Sequence, residues 1–140
     1  MEKTKKSVLF ICADQWRFDC FSFLNHQYAL TPNLDKLAKK SVIFKSHFAG
    51  IVPCGPSRTT MLTGLYPFIH RSVYNGAPLD KRFTNIAKEA RKLDYNPSLY
   101  GYTDTSWDPR YLDPKDEKNF TYESPMEGFD DGCVLPGGKP

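Results

Sequence analysis

Strand-like and helix-like segments alternate along most of this chain. Residues 7–13 form a continuous apolar run typical of a buried strand, and residues 41–48 and 96–102 are also predicted to be extended. Between them, Pro32 begins one predicted helix and Thr84 caps another. The predicted apolar faces of these helices comprise Leu34, Leu37 and Ala38 in the first, and Ile86, Ala87, Ala90 and Leu93 in the second. The alternation predicts an α/β fold, with a mixed, mostly parallel sheet and helices on both faces.

A third predicted helix carries the residues with the clearest chemistry. Pro56 suits the first helical position and Gly64 is a helix C-terminal signal, so Cys54 should lie just before the helix N-terminus. Unpaired backbone N–H groups at that point favour an anion, and Arg58 adds a planar cation suited to tetrahedral oxyanions. A buried cysteine on an ordinary surface helix is the structural alternative. A cysteine-phosphatase loop would need arginine six positions after the cysteine, where Thr60 stands.

The run of residues 54–64 has the form C-x-P-S-R-x-x-x-L-T-G. It resembles the signature of the type I sulfatases and their relatives in the alkaline phosphatase superfamily, which implies a fold of that kind. In that family a formylglycine-generating enzyme reads C-x-P-x-R and converts the cysteine to formylglycine (3-oxoalanine). Cys54, Pro56 and Arg58 occupy the three positions that this enzyme reads.

Further matches resemble a narrower group, the phosphonate monoester hydrolases. Many sulfatases have two consecutive aspartates after the first strand, whereas Asp14 and Gln15 here are similar to the members that cleave phosphonates and phosphodiesters. The matching residues are 14–19, 54–58, 63–66, 70–71, 73, 75, 78–80, 101–103 and 108–110. The resemblance therefore extends from about residue 8 to residue 110.

The resemblance implies a set of site residues. Asp14 and the formylglycine at position 54 would bind a divalent cation, for which oxygen ligands suit Mn²⁺, Ca²⁺ or Mg²⁺. Arg58 would hold the aldehyde hydrate, which would be the nucleophile. The same resemblance places Gln15 near the metal, and Asn75 and Tyr102 around the substrate. Taken alone, Asp14 would more commonly cap a turn.

The predicted activity is hydrolysis of phosphonate monoesters and phosphodiesters, which are small anionic esters. Cleavage of sulfate esters is an alternative, and so is a non-catalytic fragment in which Cys54 stays a thiol. We expect residues 1–140 to be the N-terminal part of a longer catalytic domain, because relatives are several times longer and residues 105–140 are irregular, with nine prolines or glycines. This part should be inactive by itself, since later metal ligands are missing.

Two further residues in the matched region have open roles. Asp104 stands where relatives of the phosphonate group commonly have threonine, and it places a carboxylate near a site for anions. It could face a cationic substrate group, it could have a raised pKa, or it could cap the following turn with Thr103 and Thr105. His70 could support the nucleophile loop, although a single histidine is more often structural.

Charge and composition exclude several other classes of protein. The net charge of +3 and the pI near 8.6 are only mildly basic, and no basic tract interleaved with aromatic residues indicates a nucleic-acid partner. The apolar run at residues 8–13 is too short for a signal peptide or a membrane helix, so cytoplasmic localisation is expected, without a membrane partner. The cysteines show no zinc-ligand spacing. No oligomeric state is predicted.

Overall fold

The computed structural model describes residues 6–133. The chain forms two compact units, one extending to His47 and the other beginning at Phe48. The helices are α1 (Pro32–Ala38), α2 (Cys54–Thr63), α3 (Pro67–His70) and α4 (Ile86–Arg91), with 3₁₀ turns at Ser22–Leu24, Pro109–Tyr111 and Glu117–Phe120. The strands are β1 (Ser98–Tyr100) and β2 (Asp130–Cys133). No helix within residues 6–133 is long and apolar enough to cross a membrane.

The first unit contains the predicted helix α1 but not the predicted strand at residues 7–13. Those residues have no regular structure, and Leu9 is 85% exposed. The extended segment predicted at residues 41–48 is also irregular. A strand is stable only when a neighbouring strand pairs with its backbone, and the described part of this unit contains no strand that could do so. The prediction of a strand at residues 7–13 is therefore wrong, although the run is apolar.

Side-chain hydrogen bonds fix the start of α1. Pro32 occupies its first turn, as predicted. The Asp35 carboxylate accepts hydrogen bonds from the hydroxyls of Ser22 (2.7 Å) and Thr31 (3.1 Å). Of the predicted apolar face, Leu34 and Ala38 are half-buried, whereas Leu37 is 60% exposed.

The second unit has a small core in which buried polar groups accompany apolar ones. Ala77, Leu79, Ala87 and Met126 are its buried apolar residues. β1 and β2 pair in parallel, with Ser98 opposite Asp130 and a register shift between Leu99 and Tyr100. β1 lies within the predicted extended segment 96–102. Together, β1 and β2 form a two-stranded parallel sheet.

Asn85, rather than the predicted Thr84, caps α4. Its Oδ1 accepts hydrogen bonds from the N–H groups of Ala87 and Lys88, both at 3.0 Å, and its Nδ2 donates to the Glu127 carbonyl at 2.8 Å. Thr84 instead donates its hydroxyl hydrogen to the Glu89 carboxylate. Ala87 is buried as predicted, but Ile86 and Leu93 are exposed.

His70 connects α3 to α2 from a buried position that is 2% exposed. Its Nδ1 accepts a hydrogen bond from the Ser72 N–H at 3.0 Å, so the neutral ring carries its proton on Nε2. Nε2 lies 3.0 Å from the Thr60 hydroxyl and donates to it. Burial lowers the pKa of His70, because the charged imidazolium would lose its hydration.

Replacement of Asn85 by alanine should destabilise the second unit by about 2–3 kcal/mol, from the lost cap and the unpaired Glu127 carbonyl. Urea unfolding of the protein measures this change. Thr84→Ala is the matched control at the adjacent, exposed position and should cost less than about 1 kcal/mol. An equal loss in the two variants would show that Asn85 is not the cap.

His70 should make stability depend on pH. Its folded-state pKa lies below the unfolded value of about 6.5, so the unfolded state binds more protons and stability falls as pH drops below that value. The loss is at most about 1.4 kcal/mol per pH unit. Urea unfolding between pH 7.5 and pH 5.5 should show a smaller loss in His70→Gln than in the parent. His47→Gln, at an exposed histidine, controls for removal of an imidazole, and an unchanged slope in His70→Gln would contradict the assignment.

Candidate active site

The first turn of α2 places Cys54 at the start of a ten-residue helix. Pro53 is the N-cap residue, and its carbonyl accepts a hydrogen bond from the Ser57 N–H at 3.1 Å. Gly64 ends the helix in a left-handed conformation (φ 71°), as predicted. Cys54 is therefore the first helical residue and not the residue before the helix, and Pro56 lies in the third position rather than the first. Cys54 is half-buried and its thiol is free.

Close packing holds this first turn in place. Gly55 is buried, and a Cβ atom there would lie 2.5 Å from the Asp104 carbonyl oxygen and 3.1 Å from the Asn75 Cα. The Gly55 N–H donates a hydrogen bond to Asn75 Oδ1 at 2.8 Å. The residue after Cys54 thus fixes the loop that carries Asn75, one of the predicted substrate-binding residues.

Arg58 lies one helical turn after Cys54, so the two side chains share a face of α2. Its Nη1 is 2.9 Å from Asp104 Oδ2 and donates to the Tyr102 carbonyl at 3.2 Å. The guanidinium also lies over the Tyr102 ring, 4.6 Å from the ring centroid. The Asp104 carboxylate, the Tyr102 carbonyl and the Tyr102 ring therefore fix the direction of the Arg58 guanidinium, one helical turn from position 54.

Four of the predicted site residues come together in the second unit. Cys54 and Arg58 share α2, Asn75 contacts the residue after Cys54, and Tyr102 contacts Arg58. The Tyr102 residue is 44% exposed, so part of it remains available to a ligand.

The predicted metal-side residues belong to the first unit. Asp14 and Gln15 are exposed and occupy a turn, in which Gln15 has a left-handed backbone (φ 53°). Within residues 6–133, no group of three or more His, Cys, Asp or Glu side chains is arranged to hold a metal ion. The oxygen donors of Asp14 and Gln15 suit a hard cation in their chemistry, but further ligands would be needed.

Sequence reasoning left open the partner of Asp104, which the structure identifies as Arg58. It also undervalued His70, whose contact with Thr60 supports α2. For Asp104, the signal in the sequence was a carboxylate within a stretch expected to face anions. For His70, the signal was the match to the family at residues 70–71.

The chain is similar to known proteins over most of its length. The sulfatase family profile matches residues 6–132. The multifunctional alkaline phosphatase superfamily protein PehA of Trinickia caryophylli is 42% identical over 131 residues, covering 90% of this chain and 26% of PehA. An ulvan-active sulfatase of Formosa agariphila is 30% identical over 129 residues, covering 92% of this chain and 24% of the sulfatase.

Two solved structures are similar in both sequence and fold. The phosphonate monoester hydrolase of Agrobacterium radiobacter is 50% identical with a TM-score of 0.83, over 89% of this chain and 25% of that one. The phosphonate monoester hydrolase SpPMH from Silicibacter pomeroyi is 48% identical with a TM-score of 0.85, over 91% and 25% respectively. These superpositions confirm the predicted α/β fold of the alkaline phosphatase kind. The chain spans about a quarter of the length of these relatives, and its match over residues 6–132 shows that it belongs to the sulfatase family.

Proposed function

We propose that the protein acts as a formylglycine-dependent and metal-dependent hydrolase of phosphonate monoesters and phosphodiesters. The observation that carries the proposal is the C-x-P-x-R run at the start of α2, with Arg58 held beside position 54 by Asp104 and Tyr102. The phosphonate monoester hydrolases, at 48–50% identity, are also more similar to the chain than the ulvan-active sulfatase, at 30%.

The nucleophile would come from residue 54 after its thiol has been converted to an aldehyde. The aldehyde adds water to give two hydroxyl groups on one carbon. One hydroxyl oxygen attacks phosphorus, its proton is lost, and the ester alcohol leaves with its bonding electrons. The second hydroxyl then loses its proton and re-forms the aldehyde, which breaks the bond between carbon and the attacking oxygen and releases the phosphonate. An ordinary serine lacks the second hydroxyl and could not complete this cycle.

Arg58 and its neighbours would orient this chemistry. The fixed guanidinium would hold the hydrate and offset negative charge on the phosphoryl oxygens. Asn75, next to the first turn of α2, and Tyr102, partly exposed beside Arg58, would contact the substrate oxygens or the leaving group. These groups are oriented by the described contacts before any substrate binds, which favours catalysis by preorganisation.

Asp14 and the modified residue 54 are the donors that we propose for a divalent cation, with Gln15 nearby in sequence. Such a cation, when bound, lowers the pKa of a hydroxyl group and polarises a phosphoryl oxygen. Mn²⁺, Ca²⁺ and Mg²⁺ all accept oxygen donors of this kind. Because two donors hold a cation only weakly, the complete site would need ligands beyond these residues.

A sulfatase activity is the second candidate, since sulfate esters also present a tetrahedral anionic centre and the ulvan-active sulfatase is among the relatives. Assay of sulfate, phosphonate and phosphate esters of one leaving group would rank the two activities. The required partner is a formylglycine-generating enzyme that reads Cys54, Pro56 and Arg58.

Co-expression of the protein with a formylglycine-generating enzyme should convert Cys54. Peptide mass spectrometry should show the thiol-to-aldehyde mass loss on the peptide bearing Cys54, while the peptides bearing Cys12 and Cys20 keep their thiols as internal controls. In a protein that supplies the complete metal site, Cys54→Ala should abolish ester hydrolysis, because no nucleophile can form. A persistent thiol at Cys54 would favour the non-catalytic, anion-binding alternative.

Arg58→Lys should lower kcat/KM by about 10²-fold when rates are expressed per converted site. Lysine keeps the charge but loses the planar guanidinium, whose Nη1 contacts both Asp104 and the Tyr102 carbonyl. The formylglycine content must be measured in parallel, since Arg58 also belongs to the run that the converting enzyme reads. Arg82→Lys, at an exposed arginine that pairs with Asp80, is the matched control. Equal activity of Arg58→Lys and Arg82→Lys would refute a role for the guanidinium.

A further inference from the structure

Asp104 is held in one position by the backbone around it. The residue is 7% exposed, between Thr103 and Thr105 at 1% each. Its backbone is left-handed (φ 55°), a conformation that aspartate tolerates better than most residues. Its carbonyl accepts a hydrogen bond from the Gly76 N–H at 2.9 Å and lies against Gly55. The carboxylate is therefore fixed in place by the same loop that packs on the first turn of α2.

This carboxylate balances the cation of the proposed site. Asp104 Oδ2 lies 2.9 Å from Arg58 Nη1, and the two side chains are only 9% and 13% exposed. Charges this close and this shielded from water interact more strongly than exposed pairs. An anion bound beside position 54 consequently meets a guanidinium whose positive charge is already offset by a neighbouring negative charge.

We propose that Asp104 is a specificity-determining residue that strengthens the site's preference for singly charged esters, because it disfavours doubly charged phosphate monoesters. This inference rests on the proposed function. A second negative charge on the ester doubles its attraction to Arg58, but it also doubles its repulsion from Asp104. The pair therefore gives the second charge little net attraction, while a dianion costs more to remove from water. Phosphonate monoesters and phosphodiesters carry one charge and avoid that cost.

The test compares esters that share the p-nitrophenol leaving group and differ in charge. Methyl p-nitrophenyl phosphate carries one negative charge, and p-nitrophenyl phosphate carries two at pH 8, above its second pKa of about 6. We expect the parent to prefer the diester, and Asp104→Asn to shift the kcat/KM ratio toward the monoester by about tenfold or more. Asp104→Glu should retain the parent's preference because it keeps the charge. Glu123→Gln removes an exposed carboxylate and is the matched control for net charge.

The pH profile provides a second readout that a structural role would not change. In the parent, kcat/KM for p-nitrophenyl phosphate should fall relative to the diester as pH rises above about 6, because the singly charged form disappears. In Asp104→Asn this relative fall should be weaker. If Asp104→Asn does not fold, Asp104→Thr provides the same comparison. Equal losses on both esters, with unchanged ratio and profile, would overturn the proposal and leave Asp104 as a positioning residue.

A binding measurement separates failure of this inference from failure of the proposed function. If the fully converted parent hydrolyses no ester when the complete metal site is present, the proposed function fails. Calorimetric titration with sulfate, a dianion, and dimethyl phosphate, a monoanion, then tests the charge preference alone. A tenfold or greater gain in relative sulfate affinity in Asp104→Asn would support the inference, and an unchanged affinity ratio would overturn it.

Discussion

The close contact between the first turn of α2 and two loops governs the geometry around position 54. Gly55 has no room for a side chain, because the Asp104 carbonyl and the Asn75 backbone occupy the space that a Cβ atom would need. That approach brings the Gly55 N–H to the Asn75 side chain and brings the Asp104 carboxylate to Arg58. The Arg58 guanidinium, the Asn75 amide and the Asp104 carboxylate are thus grouped around the same close approach at Gly55.

The Arg58 and Asp104 pair is better explained by chemistry than by stability. Removing two charges from water costs several kcal/mol each, and buried ion pairs usually return little net stability compared with apolar residues of similar size. The pair lies in a unit whose apolar core is small, with Ala77, Leu79, Ala87 and Met126 buried. Because such pairs usually return little net stability, we interpret the fixed guanidinium of Arg58, one helical turn from the proposed nucleophile, as preorganisation for an anion.

The sequence was sufficient for features that depend on near neighbours. The helix that carries Arg58 and its end at Gly64 follow from the proline and glycine signals, which lie within one element. Helix starts were less accurate, by two residues at Pro56 and by one at Asn85, because several nearby residues could serve as caps.

Features that depend on distant residues could not be obtained in this way. The strand predicted at residues 7–13 needs a pairing partner that the described residues do not supply, so its apolar composition alone did not produce a strand. Likewise, the contact of His70 with Thr60 and that of Asp104 with Arg58 join residues in different segments of the chain, and only the folded chain reveals them.

The contacts around position 54 also separate two tasks within the proposed mechanism. Arg58, Asn75, Tyr102 and Asp104 are held by hydrogen bonds, an ion pair and packing within the unit that begins at Phe48. The proposed metal donor Asp14 belongs to the other unit. In the proposed mechanism, anion recognition would therefore depend on packing around α2, whereas loading of a cation would depend on ligands from elsewhere in the chain. Because Arg58 and Asp104 pair within one unit, the effect of this pair on a bound anion can be tested with simple anions as well as by turnover.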